Sequence, residues 1–457
     1  MSPTLGIWMN GELVGHWTVE RGSSTLTCER SWIESDKVRS LSLSLPITAS
    51  RTIRGQVVSH WFDNLLPDNH RIRERLARRF KTRDAEAFSL LEAIGRDCVG
   101  AVQLLPEGME PTGWNRIDAE PLTDDDIGKL LAAVPSERTL GLGADDDDLF
   151  RISLAGAQEK TALTRVGDRW CRPHGATPTT HIFKLPLGLV GGSRRVDLSD
   201  SVENEWLCSQ ILRELGLPVA HAEMAEFAGR KVLIVERFDR EWMQGGRWIA
   251  RLPQEDFCQA LGCPPSKKHE KDGGPGMADC LKLLAASTDA EADRLTFVLT
   301  QFAFWLLAAT NGRAKNYSLF LGRGDAYTMT PLYDVLSVWP YIGDAPNQIR
   351  WKSVGLAMAV RSKNVHHALH SIQARHWATL AMKNGGAPVW QALCDLAGRV
   401  EATLDVLRRR LPPDFPIATF EAIASGIHAQ VHRHRLAEAG LGGVVGRVGI
   451  EPTTKGL

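Results

Sequence analysis

The chain has 457 residues, more than one hydrophobic core serves, because single cores stop growing near ~250–300 residues. Two or three domains are expected. Lys plus Arg and Asp plus Glu number 54 each, which excludes a globally cationic nucleic-acid binder and leaves only local patches.

The eight cysteines show no CxxC pair and no zinc-ligand spacing with histidine, which fits reduced thiols in a cytoplasmic protein. Residues 1–15 lack a basic region followed by an apolar run, so no secretory signal is expected. Residues 4–17 read as two short strands around Asn10-Gly11, the dipeptide favoured in two-residue hairpins. Leu41-Ser42-Leu43-Ser44-Leu45 alternates with period two and predicts a strand with one buried face. Helical signals fill 57–91, and 95–105 returns to strand, giving a small mixed α/β domain over 1–140.

The acidic run 145–148 reads as a solvated loop. Strands are predicted at 149–153, 160–165, 181–185 and 231–235, forming a β-rich lobe over 141–255. Within it, Asp200 as N-cap, Glu203 three residues on and Gly216 as stop predict a helix over 201–215. From 256 to 437 the spacing is helical, apart from a hairpin around Gly322-Arg323-Gly324-Asp325. The most apolar stretch, 295–309, is interrupted by Thr296, Thr300 and Gln301 and falls short of the ~20 residues of a membrane span. A buried helix is expected there, and no membrane partner. The glycine-rich 438–457 has no period and is expected to be a disordered tail.

Four segments could carry chemistry. Ala155, Gly156 and Ala157, followed by Gln158, Glu159 and Lys160, would let backbone N–H groups approach a phosphate, although an ordinary turn has the same composition. Lys184 stands among apolar neighbours, and a buried ammonium needs an anion. Nucleotide phosphates and a helical Glu205, with Glu203 as competitor, would supply one; an edge-strand lysine reaching solvent is the alternative. The strand 231–235 runs into Glu236-Arg237-Phe238, the order of a linker whose backbone docks an adenine ring, or of a strand end capped by a charged turn.

The block 310–334 says more. Asn311-Gly312-Arg313-Ala314-Lys315-Asn316, a hairpin and then Tyr333-Asp334 follow the order of a kinase catalytic loop and its metal-binding acid. In that order Asn316 offers an amide oxygen and Asp334 a carboxylate to Mg²⁺. Asn311 occupies the place of the catalytic Asp, five residues before the metal-binding Asn, so the spacing is kept and the charge is not.

With these residues assembled, the chain resembles the HipA family, bacterial toxin kinases of type II toxin–antitoxin modules. The resemblance covers most of 5–436 and includes Phe62-Asp63-Asn64-Leu65-Leu66-Pro67-Asp68, Ile94-Gly95-Arg96-Asp97, Pro178-Thr179-Thr180-His181 and Arg251-Leu252-Pro253-Gln254-Glu255-Asp256. It implies an α+β, HipA-like protein kinase fold with a mixed N-terminal domain, a β-rich nucleotide lobe and an all-helical C-terminal lobe. It also implies ATP and Mg²⁺ as cofactors, a phosphate loop at 155–160, Lys184 on the phosphates and an adenine hinge at Glu236, Arg237 and Phe238. Arg313, Ala314, Lys315, Asn316, Tyr333 and Asp334 would complete the nucleotide site, and Ser153 would be autophosphorylated, ejecting the phosphate loop. Glutamyl-tRNA synthetase is the implied substrate. A HipB-like helix-turn-helix antitoxin is the implied partner, through which operator DNA is mainly bound.

Two departures qualify the resemblance. The family's Asp-Gly-His-Ala-Lys-Asn is here Asn311-Gly312-Arg313-Ala314-Lys315-Asn316. An amide has no useful basicity, so phosphotransfer is expected to fall by ~10²–10⁴-fold; a catalytically silent, ATP-binding pseudokinase acting as co-repressor is the alternative. Residues 440–457 have no counterpart in the family, and Lys383-Asn384-Gly385-Gly386 offers DNA only one cation.

Overall fold

The computed structural model describes residues 3–135, 158–190 and 195–441, with side chains described to residue 433. The first strands form an antiparallel sheet in the order Thr52–Arg54, Ser23–Cys28, Glu12–Glu20, Thr4–Met9, Val102–Pro106. Asn10 and Gly11 both take positive φ, 46° and 85°, the conformation a two-residue primed turn needs to match strand twist. Alternate residues, Leu5 and Ile7 on one strand and Trp17 on the next, enter a core shared with helices Gln56–Asp63 and Ala87–Ile94. There Trp17 stacks on Phe62 with ring centroids 3.9 Å apart.

The strand expected at Leu41–Leu45 is instead a tight turn, closed by a bridge between Ser42 and Leu45. Its period-two pattern has another cause: Leu41 and Leu45 enter the core, while the Ser42 and Ser44 hydroxyls donate to the Gln259 carbonyl at 3.4 and 2.6 Å.

A second, six-stranded sheet runs Ala222–Phe227, Arg230–Glu236, His181–Lys184, Lys160–Val166, Arg169–Pro173, Ala119–Pro121. In Arg230–Glu236, Val232 and Ile234 face helix Asp124–Ala133, whereas Leu233 and Val235 pack with Val202 of helix Ser201–Glu214. Sheet geometry sends alternate side chains to opposite faces, so this strand is apolar on both. The domain boundary drawn at 140 therefore moves earlier, since 119–133 pair and pack with the second sheet. The helix predicted over 201–215 forms, but the side chain of Asp200 does not cap it. Its carboxylate takes the Tyr341 and Thr419 hydroxyls instead, each at 2.6 Å.

The third part is built around helix Ala290–Leu307, whose residues from Phe302 to Leu307 are all buried. Helices Ala374–Lys383, Ala387–Arg410 and Ile417–Leu441 surround it. This lobe is not all-helical. Ser318–Leu321 lies between Gln254–Asp256 and Tyr327–Met329 in a three-stranded sheet, and Gly355–Arg361 pairs with Val365–Ala368. The last helix continues to Leu441, into the segment expected to be unstructured; the rest of that tail, and the strand predicted at 149–153, lie outside the described residues. Among the described residues no helix is long and apolar enough to cross a membrane.

Charged side chains lock the N-terminal domain to the second sheet. Asp97 receives Arg240 at 2.9 Å and Arg237 and Arg251 at 3.3 Å, and the Thr179 hydroxyl at 2.7 Å. Asp239 takes Arg237 at 2.8 Å and the Gly100 N–H at 2.7 Å. All five charged side chains are buried to 8% exposure or less, so each depends on the others for the solvation it has lost.

Candidate functional site

Between the second sheet and the helical lobe lies a cleft with about 930 Å³ of empty space, its open mouth included. Strand pairing sets its charged wall: Lys160 stands directly opposite Lys184 on the neighbouring strand. The Lys184 ammonium contacts Glu205 at 2.5 Å and Asp334 at 3.0 Å. Glu205 is thus the partner of Lys184, and the competing Glu203 pairs with Lys231 at 2.7 Å.

Burial opposes charge at Lys184, but Asp334 and Glu205 hold its ammonium above the ordinary lysine range. Burial also raises Glu205 despite Lys184, whereas Lys184 and Lys160 hold Asp334 well below the carboxylate range in spite of burial. Lys160 lacks that degree of compensation. Burial, with Lys184 beside it, brings Lys160 down to about 8.

The catalytic-loop-like segment is folded by its own residues. Helix Ala290–Leu307 stops at Ala308, which takes φ 49°, and Gly312 passes against Phe304, where an added Cβ would lie 2.3 Å from the ring. Asn316 Nδ2 then donates to the Asp334 carboxylate at 2.7 Å and Asn311 Nδ2 to the Asp334 carbonyl at 2.5 Å. Asp334 itself has φ 61°, a conformation costly for a residue with a Cβ and tolerated where several contacts fix it.

The side-chain Oδ1 atoms of Asn311 and Asn316 are both buried without a hydrogen-bond partner, an arrangement that costs ~1–3 kcal/mol apiece unless a ligand completes it. Among the described residues no group of three His, Cys, Asp or Glu converges. Magnesium nevertheless fits here, because it takes one or two protein oxygens and completes its shell from phosphates and water. The Asn316 Oδ1 and the Asp334 carboxylate, 36% exposed toward the cleft, are that kind of donor pair.

Other expected site residues behave differently. Ser153, Ala155, Gly156 and Ala157 lie outside the described residues. Gln158 donates to the Leu185 carbonyl at 2.6 Å, and Glu159 receives Arg75 at 2.6 Å, so both side chains are engaged away from Lys184. At the expected hinge, the N–H groups of Glu236 and Arg237 are bound to the carbonyls of His221 and Thr180, at 2.8 and 2.9 Å. The Arg237 guanidinium belongs to the buried Asp97 cluster, while Glu236 and Arg237 also line the cleft. Phe238 lines the cleft against Phe320 and Tyr333, with centroids 5.7 and 5.8 Å away. Tyr333 shares a hydrogen bond with Ser318 at 2.6 Å. Ala314 is buried, while Arg313 and Lys315 line the cleft.

Reasoning from sequence missed the contribution of the N-terminal domain. Asp68 reaches the cleft and binds Lys315 at 2.7 Å, Lys268 at 2.8 Å and Arg313 at 3.6 Å. Against the cost of burial these cations bring it down to about 2. Asp256, also in the cleft wall, was missed too; burial pushes it up to about 7. The available signal was acids embedded in otherwise apolar strings, Leu65-Leu66-Pro67-Asp68 and Glu255-Asp256-Phe257.

Two family models match the chain, the HipA N-terminal domain over residues 5–105 and the HipA-like C-terminal domain over 152–409. Among curated relatives, the Sinorhizobium fredii protein Y4mE is 32% identical over 418 residues, covering 89% of this chain and 91% of that one. The serine/threonine-protein kinase toxin HipA of Shewanella oneidensis is 29% identical over 359 residues, covering 74% of this chain and 75% of its own. In fold, the chain is similar to HipA of Shewanella oneidensis MR-1, solved in a complex with HipB and operator DNA. The TM-score is 0.77 at 22% identity, over 94% of this chain and 97% of the other.

Proposed function

The chain belongs to the HipA family of toxin kinases, and from that premise we propose that the cleft binds ATP with Mg²⁺ and transfers phosphate to a protein serine, at a rate held down by Asn311. The observation that carries this reading is the orphaned Asn316 Oδ1 beside Asp334, with Lys184 bound to the same carboxylate. When bound, ATP supplies the phosphoryl group and Mg²⁺ offsets the negative charge of the phosphates.

The chain's own residues would divide the work. Lys184, fixed by Glu205, and Lys160 orient the phosphates; Asn316 and Asp334 hold the metal. Phe238 and Tyr333 offer an apolar seat for the base, with the backbone of 236–238 beside it. Asn311 Oδ1 accepts a hydrogen bond from the acceptor hydroxyl and so orients it, but cannot hold its proton at neutral pH. Ala155, Gly156 and Ala157 belong in this reading to the phosphate loop, and Ser153 to autophosphorylation.

By family resemblance the acceptor is glutamyl-tRNA synthetase, whose modification arrests growth in the cytoplasm. A HipB-like antitoxin restrains the chain and makes most of the contact with operator DNA. A silent, co-repressing pseudokinase is the alternative: Asn311 holds its Nδ2 on the Asp334 carbonyl and brings no carboxylate to an acceptor hydroxyl.

Phosphate transfer from labelled ATP to the chain itself and to glutamyl-tRNA synthetase, with wild type, Asn311→Asp and Lys184→Met in parallel, separates the readings. Asn311→Asp is expected to exceed wild type by ~10²–10⁴-fold, with no transfer by Lys184→Met. Equal rates for wild type and Asn311→Asp remove the attenuation, and no transfer by either favours the pseudokinase.

A further inference from the structure

We propose that Cys258 and Cys263 are a redox-modification site, a dithiol arranged to close into an intrachain disulfide behind the cleft wall. The inference is independent of the nucleotide reading. It begins with the single-turn helix Phe257–Ala260. Asp256 caps its start, taking the Gln259 N–H at 2.8 Å while its own N–H donates to the Gln259 side chain at 2.9 Å.

At the other end, the Gly262 N–H donates to the Gln259 carbonyl at 3.0 Å and the Cys263 N–H to the Cys258 carbonyl at 2.8 Å. Gly262 takes φ +66°. A left-handed glycine with nested five-to-two and six-to-one bonds is the Schellman helix ending, and it brings the first and sixth residues side by side. Those residues here are Cys258 and Cys263. In that ending the two side chains lie in contact on one side of the turn, the approach a disulfide needs, since its α-carbons stand ~4.4–6.8 Å apart.

The environment makes the two thiols unequal. The neighbouring Cys263 thiol, with burial, pushes Cys258 well above the ordinary thiol range, while the Cys258 thiol beside it, followed by Lys267, draws Cys263 down; the Cys263 Sγ itself donates to the Lys267 carbonyl at 3.2 Å and the Pro264 carbonyl at 3.6 Å. Cys258 is buried and Cys263 is only partly covered. An accessible sulfur with more thiolate character, next to a shielded partner, is the pattern of an attacking and a resolving cysteine. The oxidant required is a hydroperoxide. The Cys263 thiolate attacks its terminal oxygen, forming S–O as O–O breaks, and the leaving oxygen takes a proton. The Cys258 sulfur then attacks Cys263, S–S forms, S–O breaks and water leaves. In sum, two thiols give up two electrons and two protons, and the hydroperoxide is reduced to water and an alcohol, or to two waters.

The bond would close covalently the turn that presents Asp256 and Gln259 to the cleft and ties it to the N-terminal domain. The Gln259 carbonyl receives Ser42 and Ser44, its Nε2 donates to the Trp61 carbonyl at 3.0 Å, and Asn64 donates to the Cys263 carbonyl at 2.9 Å.

The test uses the full native chain treated with hydrogen peroxide, alkylated after denaturation and cut with trypsin. Both cysteines fall within the single tryptic peptide 252–267. The expected result is that this peptide becomes unalkylatable and lighter by two hydrogens, and that dithiothreitol reverses the change. In Cys258→Ser, Cys263 stops at a sulfenic acid that dimedone traps. In Cys263→Ser, Cys258 remains alkylatable. Full alkylation of both cysteines at peroxide doses that oxidise a free thiol peptide overturns the proposal, as does a disulfide from either residue to any other cysteine.

Discussion

Two buried charged clusters, one around Asp97 and Asp239 and one around Lys184 and Asp334, differ in how complete they are. Around Asp97 and Asp239, three arginines meet two carboxylates, with Thr179, Gly100 and the Cys98 carbonyl filling the remaining positions. Around Asp334, Lys184 and Glu205 form an equally buried pair, yet two amide oxygens of the adjoining loop have nothing to accept. A closed network spends its hydrogen-bonding capacity on holding domains together. An open one keeps capacity for something that arrives.

That contrast can be broken from both sides. The largest effect is expected from Asp97→Ala, which leaves the buried Arg251 without a carboxylate and Arg237 and Arg240 with Asp239 alone, and should cost ~3–5 kcal/mol of stability, measured by chemical denaturation. A loss under 1 kcal/mol would mean that the cluster is wetter than it looks.

Next comes pH. Asp256 is raised to about 7 by burial, so it contributes stability that is complete below its unfolded value near 4 and is lost as pH rises through about 7. The amount is about 4 kcal/mol. His181, lowered to about 4 by burial, acts in the opposite sense, its contribution being lost as pH falls below about 6.5. The informative quantity is therefore the difference between wild type and Asp256→Asn at each pH. The variant should gain on wild type between about pH 4 and pH 7, and parallel curves would count against a buried, titrating carboxylate.

Smaller again is Lys184→Met, expected to weaken nucleotide binding by about 2 kcal/mol, the worth of a hydrogen bond to a charged group. The variant should remain folded in circular dichroism, because methionine fills the same channel. Asn311→Asp should cost only ~1 kcal/mol of stability, since it replaces the Asn311 donor to the Asp334 carbonyl with an acceptor. No destabilisation in thermal melts would mean the amide is oriented the other way.

Local signals were legible in the sequence where one residue dictates the backbone. Asn10-Gly11 fixes a hairpin, and the apolar spacing of 295–309 fixes a buried helix. Lys184 stands out as a polar residue among apolar neighbours, and Glu205, Asn316 and Asp334 by their order and spacing after it in the kinase pattern. What stayed hidden depends on distant partners. Alternation in Leu41–Leu45 cannot tell a strand from a turn whose hydroxyls meet Gln259. Arg237 reads as part of a linker, and only the fold reveals Asp97, 140 residues earlier, as its partner. Asp68 likewise shows its role only when the N-terminal domain carries it to Lys315. The choice between Glu203 and Glu205 needed the direction in which the helix faces.

The central claim is that the open cluster is open for Mg²⁺ and a nucleotide. Isothermal titration of the wild-type chain with ATP, with and without Mg²⁺, tests it most directly. Saturable binding at one site, strengthened by Mg²⁺ in wild type and not in Asp334→Asn, is the predicted result. Absence of saturable binding, or a magnesium effect that survives in Asp334→Asn, would contradict it.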